Sequence, residues 1–205
     1  MITFLGYYLA YSQRDVAMKK TTVFCLLLFL ELSKAHSLQA AKLDQINNYL
    51  SYSPYFSSSG QPSAAQLEDV ANAGFKRVIY LAFSNSKTAI ETEDYVVNSL
   101  GMNYVHIPVD LKRPRTSDFD DFAAVMVKNK TLKTLLHCQI NKRASSFSFL
   151  YRVIYGRVPM SEAKRDLDSI WQPNKVWYQL IVDVLKQHGH SHLCDDCDWG
   201  VNELN

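Results

Sequence analysis

The stretch Thr134-Leu135-Leu136-His137-Cys138-Gln139-Ile140-Asn141-Lys142-Arg143-Ala144-Ser145 decides how this chain is read. Thr134 to His137 is a short β-rich run, the pattern of a buried strand. From Ala144 to Tyr155 the chain is apolar nearly all round, as a central buried helix would be. Cys138 and Arg143 therefore stand at either end of a strand-to-helix turn. Successive N–H groups in such a turn point inward and bind an anion, helped by the helix N-terminus. The same field lowers a cysteine pKa from ~8.5 into the range ~3.5–7.5. A thiolate in that cradle is a nucleophile aimed at the centre of a bound oxyanion. Arg143 can hold two of the oxyanion's atoms bidentately and stabilise the charge that grows in transfer. The loop lacks glycine, so Asn141 is the residue best suited to a left-handed backbone.

Working outward, the rest of the chain alternates strands and helices. Ser63 with Gln66 forms a capping box, Leu67, Val70 and Ala71 give a helical stripe, and Gly74 sits where a C-cap glycine belongs. Arg77 to Ala82 reads as a strand, residues 88–100 as a helix stopped by Gly101, and Tyr104 to Ile107 as a strand ended by Pro108. Ser117 can cap a helix with Phe119, Phe122, Ala123 and Met126 on its inner face. Two more helices fit Ser161–Trp171 and Asn174–Gln187. The pattern predicts an α/β fold, a mostly parallel central sheet flanked by helices. Ligands of such sheets bind beyond the carboxyl ends of the strands.

With 205 residues, 47% hydrophobic and 20% charged, the composition is that of a globular protein and excludes a disordered or fibrous chain. The net charge of +2 comes without a basic stripe, which argues against nucleic acid as a partner. Four cysteines are too few for a disulfide scaffold. Lys19-Lys20, an apolar run from Val23 to Leu30, then Ala35-His36-Ser37 follow the order of a secretory signal. The run is far short of the ~20 residues that a membrane span needs. An amphipathic N-terminal helix is the alternative. Translation is expected to begin at Met18, with residues 1–17 not made and the cut after Ser37. Removing 37 of the 205 residues leaves 168, with 18 basic and 18 acidic, so the weak positive excess disappears. The expected organisation is a non-native start plus signal over 1–37, a catalytic domain over 38–188 and a polar tail over 189–205. The expected location is periplasmic or secreted, an oxidising setting.

In that tail His188, His190, His192, Cys194 and Cys197 are metal-ligand types, but their spacing matches no finger. Cys194 and Cys197 are read as a small disulfide, as free thiols or as ligands, and no metal or cofactor is expected for the reaction. Asn129-Lys130-Thr131 matches a glycosylation acceptor and is taken as chance beside a bacterial-looking signal.

His137-Cys138-x4-Arg143 resembles the phosphate-binding loop of the cysteine-dependent protein tyrosine phosphatase superfamily. The match is nearer to the bacterial branch similar to the phosphatase-like domain of beta-lactamase-hydrolase-like proteins. Ser59-Gly60-Gln61-Pro62-Ser63 with Leu67 and Ala73 to Ile79 resembles that branch's N-terminal signature. Tyr104 to Val109 resembles its strand into the acid loop. The likeness spans about residues 52–155. It departs from the superfamily at large in having four rather than five residues between Cys138 and Arg143, a trait of this branch.

The resemblance implies a cysteine-phosphatase-like fold and hydrolysis of phosphate monoesters through a phosphocysteine on Cys138. Gln139, Ile140, Asn141, Lys142 and Arg143 would bind the phosphoryl oxygens. His137 would orient the loop by hydrogen bonding, and Ser145, seven residues after Cys138, would assist the thiolate as leaving group. The general acid is expected to be an aspartate upstream. Asp110, just past a strand end, is preferred to Asp118, because Asp118, Asp120 and Asp121 suit the first turn of a helix. Lys112, Arg113 and Arg115 could draw anionic substrates, or simply lie on a solvated loop. The expected partners are phosphorylated proteins or small-molecule phosphates. A rhodanese-like sulfurtransferase and an inactive anion-binding module remain as alternatives, because each also uses a cysteine or an anion pocket in such a loop.

Overall fold

The computed structural model describes Gln39 and residues 42–200. The expected signal segment lies outside them, so its reading is carried no further by the fold. Five strands form one sheet in the order β1-β2-β5-β3-β4. They are β1 Leu50–Ser53, β2 Phe56–Ser59, β3 Arg77–Tyr80, β4 Asn103–His106 and β5 Thr134–His137. β1 and β2 are an antiparallel hairpin, while β2, β5, β3 and β4 run parallel. Among the described residues six helices follow the first strands and flank the sheet: α1 Ala64–Asn72, α2 Glu93–Ser99, α3 Thr116–Lys128, α4 Lys142–Ile154, α5 Met160–Asp168 and α6 Lys175–Gln187. The α/β class and its mostly parallel sheet are as the sequence predicts.

Strand alternation divides the core. Val78 and Leu135 face one cluster with Leu67 and Val70 of α1, Val97 of α2, and Phe75 from the loop before β3. Ile79 and Leu136 face the other, with Phe119 and Phe122 of α3, Phe147 and Phe149 of α4 and Trp177 of α6. Residues one apart on a strand point to opposite faces, so a parallel strand buried on both faces is apolar throughout. That is why β5 and β3 are legible in the sequence.

The hairpin is not. Phe56-Ser57-Ser58-Ser59 has three serines, yet every residue of β2 is buried. Tyrosine hydroxyls satisfy two of them: Tyr49 Oη lies 3.0 Å from Ser57 Oγ and Tyr52 Oη 2.7 Å from Ser58 Oγ. Ser59 Oγ donates to the Gly60 carbonyl. Buried hydroxyls need such partners, and a strand signal read from apolar residues misses them.

Other boundaries shift for local reasons. The predicted capping box stands: Ser63 Oγ accepts from the Gln66 N–H, and Gln66 Oε1 accepts from the Ser63 N–H. Gly74 follows α1 at φ +85°. Ser117 is not a cap, because Asp118 takes the Arg115 N–H at 2.9 Å and starts α3 at Thr116. α2 begins only at Glu93, since Ser84 to Ala89 close turns of their own through Ser86 N–H to Phe83 and Ala89 N–H to Ser86.

Residues 189–200 of the tail are more ordered than their polarity suggests. Trp199 is buried against Phe149 and Tyr178, the Lys164 ammonium donates to the Asp198 carbonyl, and Cys194 is joined to Cys197. No helix of the described residues is long and apolar enough to cross a membrane.

Candidate active site

The last row of the parallel sheet is Ser59, His137, Tyr80, His106. Just beyond it the ladder continues: Cys138 N–H donates to Ser59 O at 3.3 Å, Leu81 N–H to His137 O at 2.9 Å and Val109 N–H to Leu81 O at 3.0 Å. Cys138, the loop after β3 and the loop carrying Asp110 thus leave the same edge. β5 is central, so its carboxyl end is ringed by neighbouring strands, the place where open α/β sheets bind ligands.

The turn after Cys138 is fixed by backbone geometry. Asn141 has φ +68° and ψ 0°, the left-handed region expected of it. Its Nδ2 donates to the Asn48 carbonyl at 2.6 Å, and Asn48 Nδ2 donates back to the Ile140 carbonyl at 3.1 Å. Gly60 pairs with Ile140, and Gln61 N–H donates to the Gln139 carbonyl. A Cβ on Gly60 would stand 2.9 Å from Asn47 O and 3.0 Å from Gln139 O, so the approach admits no side chain. The Ser59-Gly60-Gln61 signature is therefore the outer wall of the loop. α4 starts at Lys142, which puts its unpaired first-turn amides at the same turn.

Cys138 is the free thiol among the described residues and is 1% exposed, continuous with the apolar core. Arg143 is 4% exposed. One of its nitrogens, Nη2, donates to Gln139 Oε1 at 3.3 Å, while Nε and Nη1 are buried with no protein acceptor. Two guanidinium donors left unmatched inside a protein are costly unless an acceptor comes to them. Ile140 is exposed on the rim. Lys142 turns its ammonium over the Trp171 ring, 5.0 Å from its centroid. Ser145 Oγ donates to the Lys142 carbonyl, so its hydroxyl is engaged within α4 rather than with the thiol.

His137 is fully buried, but it does not orient the loop through the hydrogen bonds expected of it. Its ring stacks on Tyr80 at 4.7 Å, and Tyr80 stacks on His106 at 5.2 Å. Its Nε2 lies 3.2 Å from Glu93 Oε1. Burial, with His106 nearby, lowers its pKa to about 3. Burial likewise raises Glu93 to about 7, against the hydrogen bond from Gln61. Glu93 was invisible to sequence reading. An acidic residue in the first turn of a helix reads as a dipole partner in water, and only its 2% exposure shows otherwise.

Asp110 accepts from Lys112 N–H at 2.8 Å and from Arg113 Nε at 3.4 Å, and these bonds lower its pKa. Asp118 is buried as the α3 cap and paired with Arg115 at 2.7 Å, which accounts for it structurally. Asp120 accepts from Gln187 and contacts His188. A cleft of about 370 Å³ is lined by Phe83, Pro108, Asp110, Arg113, Arg115 and Asp118. Cys138 and Arg143 are not part of its lining. Among the described residues no three His, Cys, Asp or Glu are placed to hold a metal ion.

A strand-to-helix turn with Cys138 and Arg143 closes the central strand of this sheet, and solved structures share this architecture. A DUF442 phosphatase-like protein of Shewanella putrefaciens is 33% identical, with a TM-score of 0.67 over 73% of this chain and 99% of that one. Tk-PTP in its active form is 14% identical, TM-score 0.58, over 68% and 97%. PTPMT1 in complex with PI(5)P is 11% identical, TM-score 0.58, over 69% and 96%. The last two share the fold. No protein-family model and no curated protein matches the sequence. This chain belongs to the DUF442 family of phosphatase-like proteins.

Proposed function

We propose that this protein is an exported cysteine-dependent phosphatase acting on phosphate monoesters of proteins or small molecules. The observation that carries this is Arg143. It is buried in the same turn as Cys138, with Nε and Nη1 unmatched by any protein acceptor. Two phosphoryl oxygens supply the acceptors they lack, and the unpaired backbone amides at the start of α4 supply donors for the rest.

In the first step the Cys138 thiolate attacks phosphorus, the P–O ester bond breaks, and the leaving oxygen takes a proton from Asp110. In the second, Asp110 takes a proton from water, the hydroxide attacks phosphorus, and the P–S bond breaks to release phosphate and the thiolate. To serve as acid, Asp110 must leave Lys112 and Arg113 and bind a proton. A phosphate dianion in the loop favours that, because nearby negative charge raises a carboxyl pKa. No metal or cofactor takes part in this scheme. Export is supported by the residue order of 18–37 and by the disulfide between Cys194 and Cys197.

The test is hydrolysis of an aryl phosphate by the chain, Cys138→Ser and Asp110→Asn. Cys138→Ser is expected to abolish turnover, and Asp110→Asn to lower kcat by ~10²–10⁴, the contribution of a general acid. Full activity in Cys138→Ser, or a stable persulfide from thiosulfate without phosphate release, overturns the proposal.

A further inference from the structure

Glu93 is the first residue of α2, and the scheme above makes no use of it. A carboxylate there would ordinarily reach into water. This one turns inward: Oε1 accepts from Gln61 Nε2 at 2.8 Å and lies 3.2 Å from His137 Nε2. Glu93 Oε2 and both ring nitrogens of His137 are buried with no aligned partner. Gln61 belongs to the wall of the loop, and His137 is bonded covalently to Cys138. One carboxyl group therefore touches both segments that frame the thiol.

We propose that Glu93 is a positioning residue for Cys138, acting through His137 and Gln61 and setting the charge that lies beneath the thiol. The inference rests on Cys138 being the nucleophile. With His137 held neutral, the pair carries no net charge while Glu93 keeps its proton, and one negative charge once that proton leaves. The other charged or titratable groups facing the pair are few. Asp94 is the next residue of α2, Tyr80 comes from β3, and Tyr104 and His106 from β4. Cys138 and Arg143 act on Tyr80 from the far side. Burial raises both tyrosines, which stay neutral through the neutral range. Asp94 and His106 are exposed but still act on the pair, Asp94 on Glu93 and His106 on His137. Of these groups Glu93 alone is buried in contact with both His137 and Gln61, so its charge is the one placed behind Cys138. When it appears it opposes both a thiolate and an incoming phosphate dianion, as like charges do.

The experiment is alkylation of Cys138 by iodoacetamide as a function of pH, read on the Cys138 peptide by mass spectrometry. It is run on the chain, Glu93→Gln and Glu93→Ala, with aryl-phosphate kinetics beside it. In Glu93→Gln, which keeps the shape and stays uncharged, half-maximal alkylation is expected ~1 pH unit lower, the shift one nearby charge imposes. The decline of kcat/KM above neutral pH is expected to weaken in the same variant. Alkylation profiles that coincide in all three, with activity falling equally at every pH, overturn the inference. If the alkylation shift is seen but the unaltered chain hydrolyses no phosphate ester, the control of the thiol stands and the phosphatase reading falls. If phosphate is released and the profiles coincide, the reverse holds.

Discussion

Asn141 offers a sharp test of how the anion loop is held. Its φ of +68° is a conformation that an ordinary L-residue adopts at a cost of ~1–2 kcal/mol, whereas glycine adopts it freely. Its Nδ2 bond to the Asn48 carbonyl contributes a further ~0.5–1.5 kcal/mol. Asn141→Ala loses the bond and meets the backbone cost, so it is expected to destabilise the protein by ~2–3 kcal/mol. Asn141→Gly loses the bond and gains unfolded-state freedom, but it keeps the turn at a cost of ~1–2 kcal/mol. The difference, ~1 kcal/mol, belongs to the backbone alone and corresponds to ~2–4 °C in Tm for a domain of this size. Urea unfolding of the three proteins with matched slopes measures it. Aryl-phosphate kinetics should show KM rising more in the alanine variant than in the glycine variant, because only alanine drives the turn out of its left-handed state. Equal stability and equal KM in the two variants would refute the claim that asparagine is there for its backbone.

Further outcomes follow from neighbouring groups. Gly60→Ala forces a Cβ to within 2.9 Å of Asn47 O, so it is expected to cost ~1–3 kcal/mol and to impair phosphate binding by displacing Gln139; thermal unfolding and KM report the two effects. Asp118→Ala removes the α3 cap and should cost ~1 kcal/mol while kcat is kept, which separates it from Asp110. Stability should also depend on pH through the buried pair. Glu93 is raised above its unfolded value of 4.5, so its contribution is full below that pH and is lost as pH rises to about 7. His137 is depressed from 6.5, so its contribution is full above that pH and is lost as pH falls towards about 3. Relative to Glu93→Gln, the unaltered chain is thus expected to lose up to ~3 kcal/mol between those two carboxyl values. Urea midpoints at several pH values check it, and a constant difference would sink the assignment.

Much of this was legible because it is local. A strand buried on both faces must be apolar along its length, so Arg77 to Tyr80 and Thr134 to His137 declare themselves. A turn from strand to helix carrying Cys138 and Arg143 reads as an anion-binding loop, and a loop without glycine points to Asn141 as its left-handed residue. Capping at Ser63 and Gln66 depends on residues three apart and needs no tertiary knowledge.

What the sequence could not declare depends on partners far along the chain. β2 is a strand because Tyr49 and Tyr52 satisfy its serine hydroxyls and β5 lies beside it, neither of which its own residues reveal. Asp118 and Asp110 line one cleft, and what separates them is that Asp118 is buried as the partner of the Arg115 N–H and guanidinium while Asp110 is only partly covered. Glu93 gained its place only when folding brought the first residue of α2 to His137 at the end of β5. A carboxyl group's role is set by the dielectric and the neighbours around it, and those come from folding rather than from the residue's position in the chain.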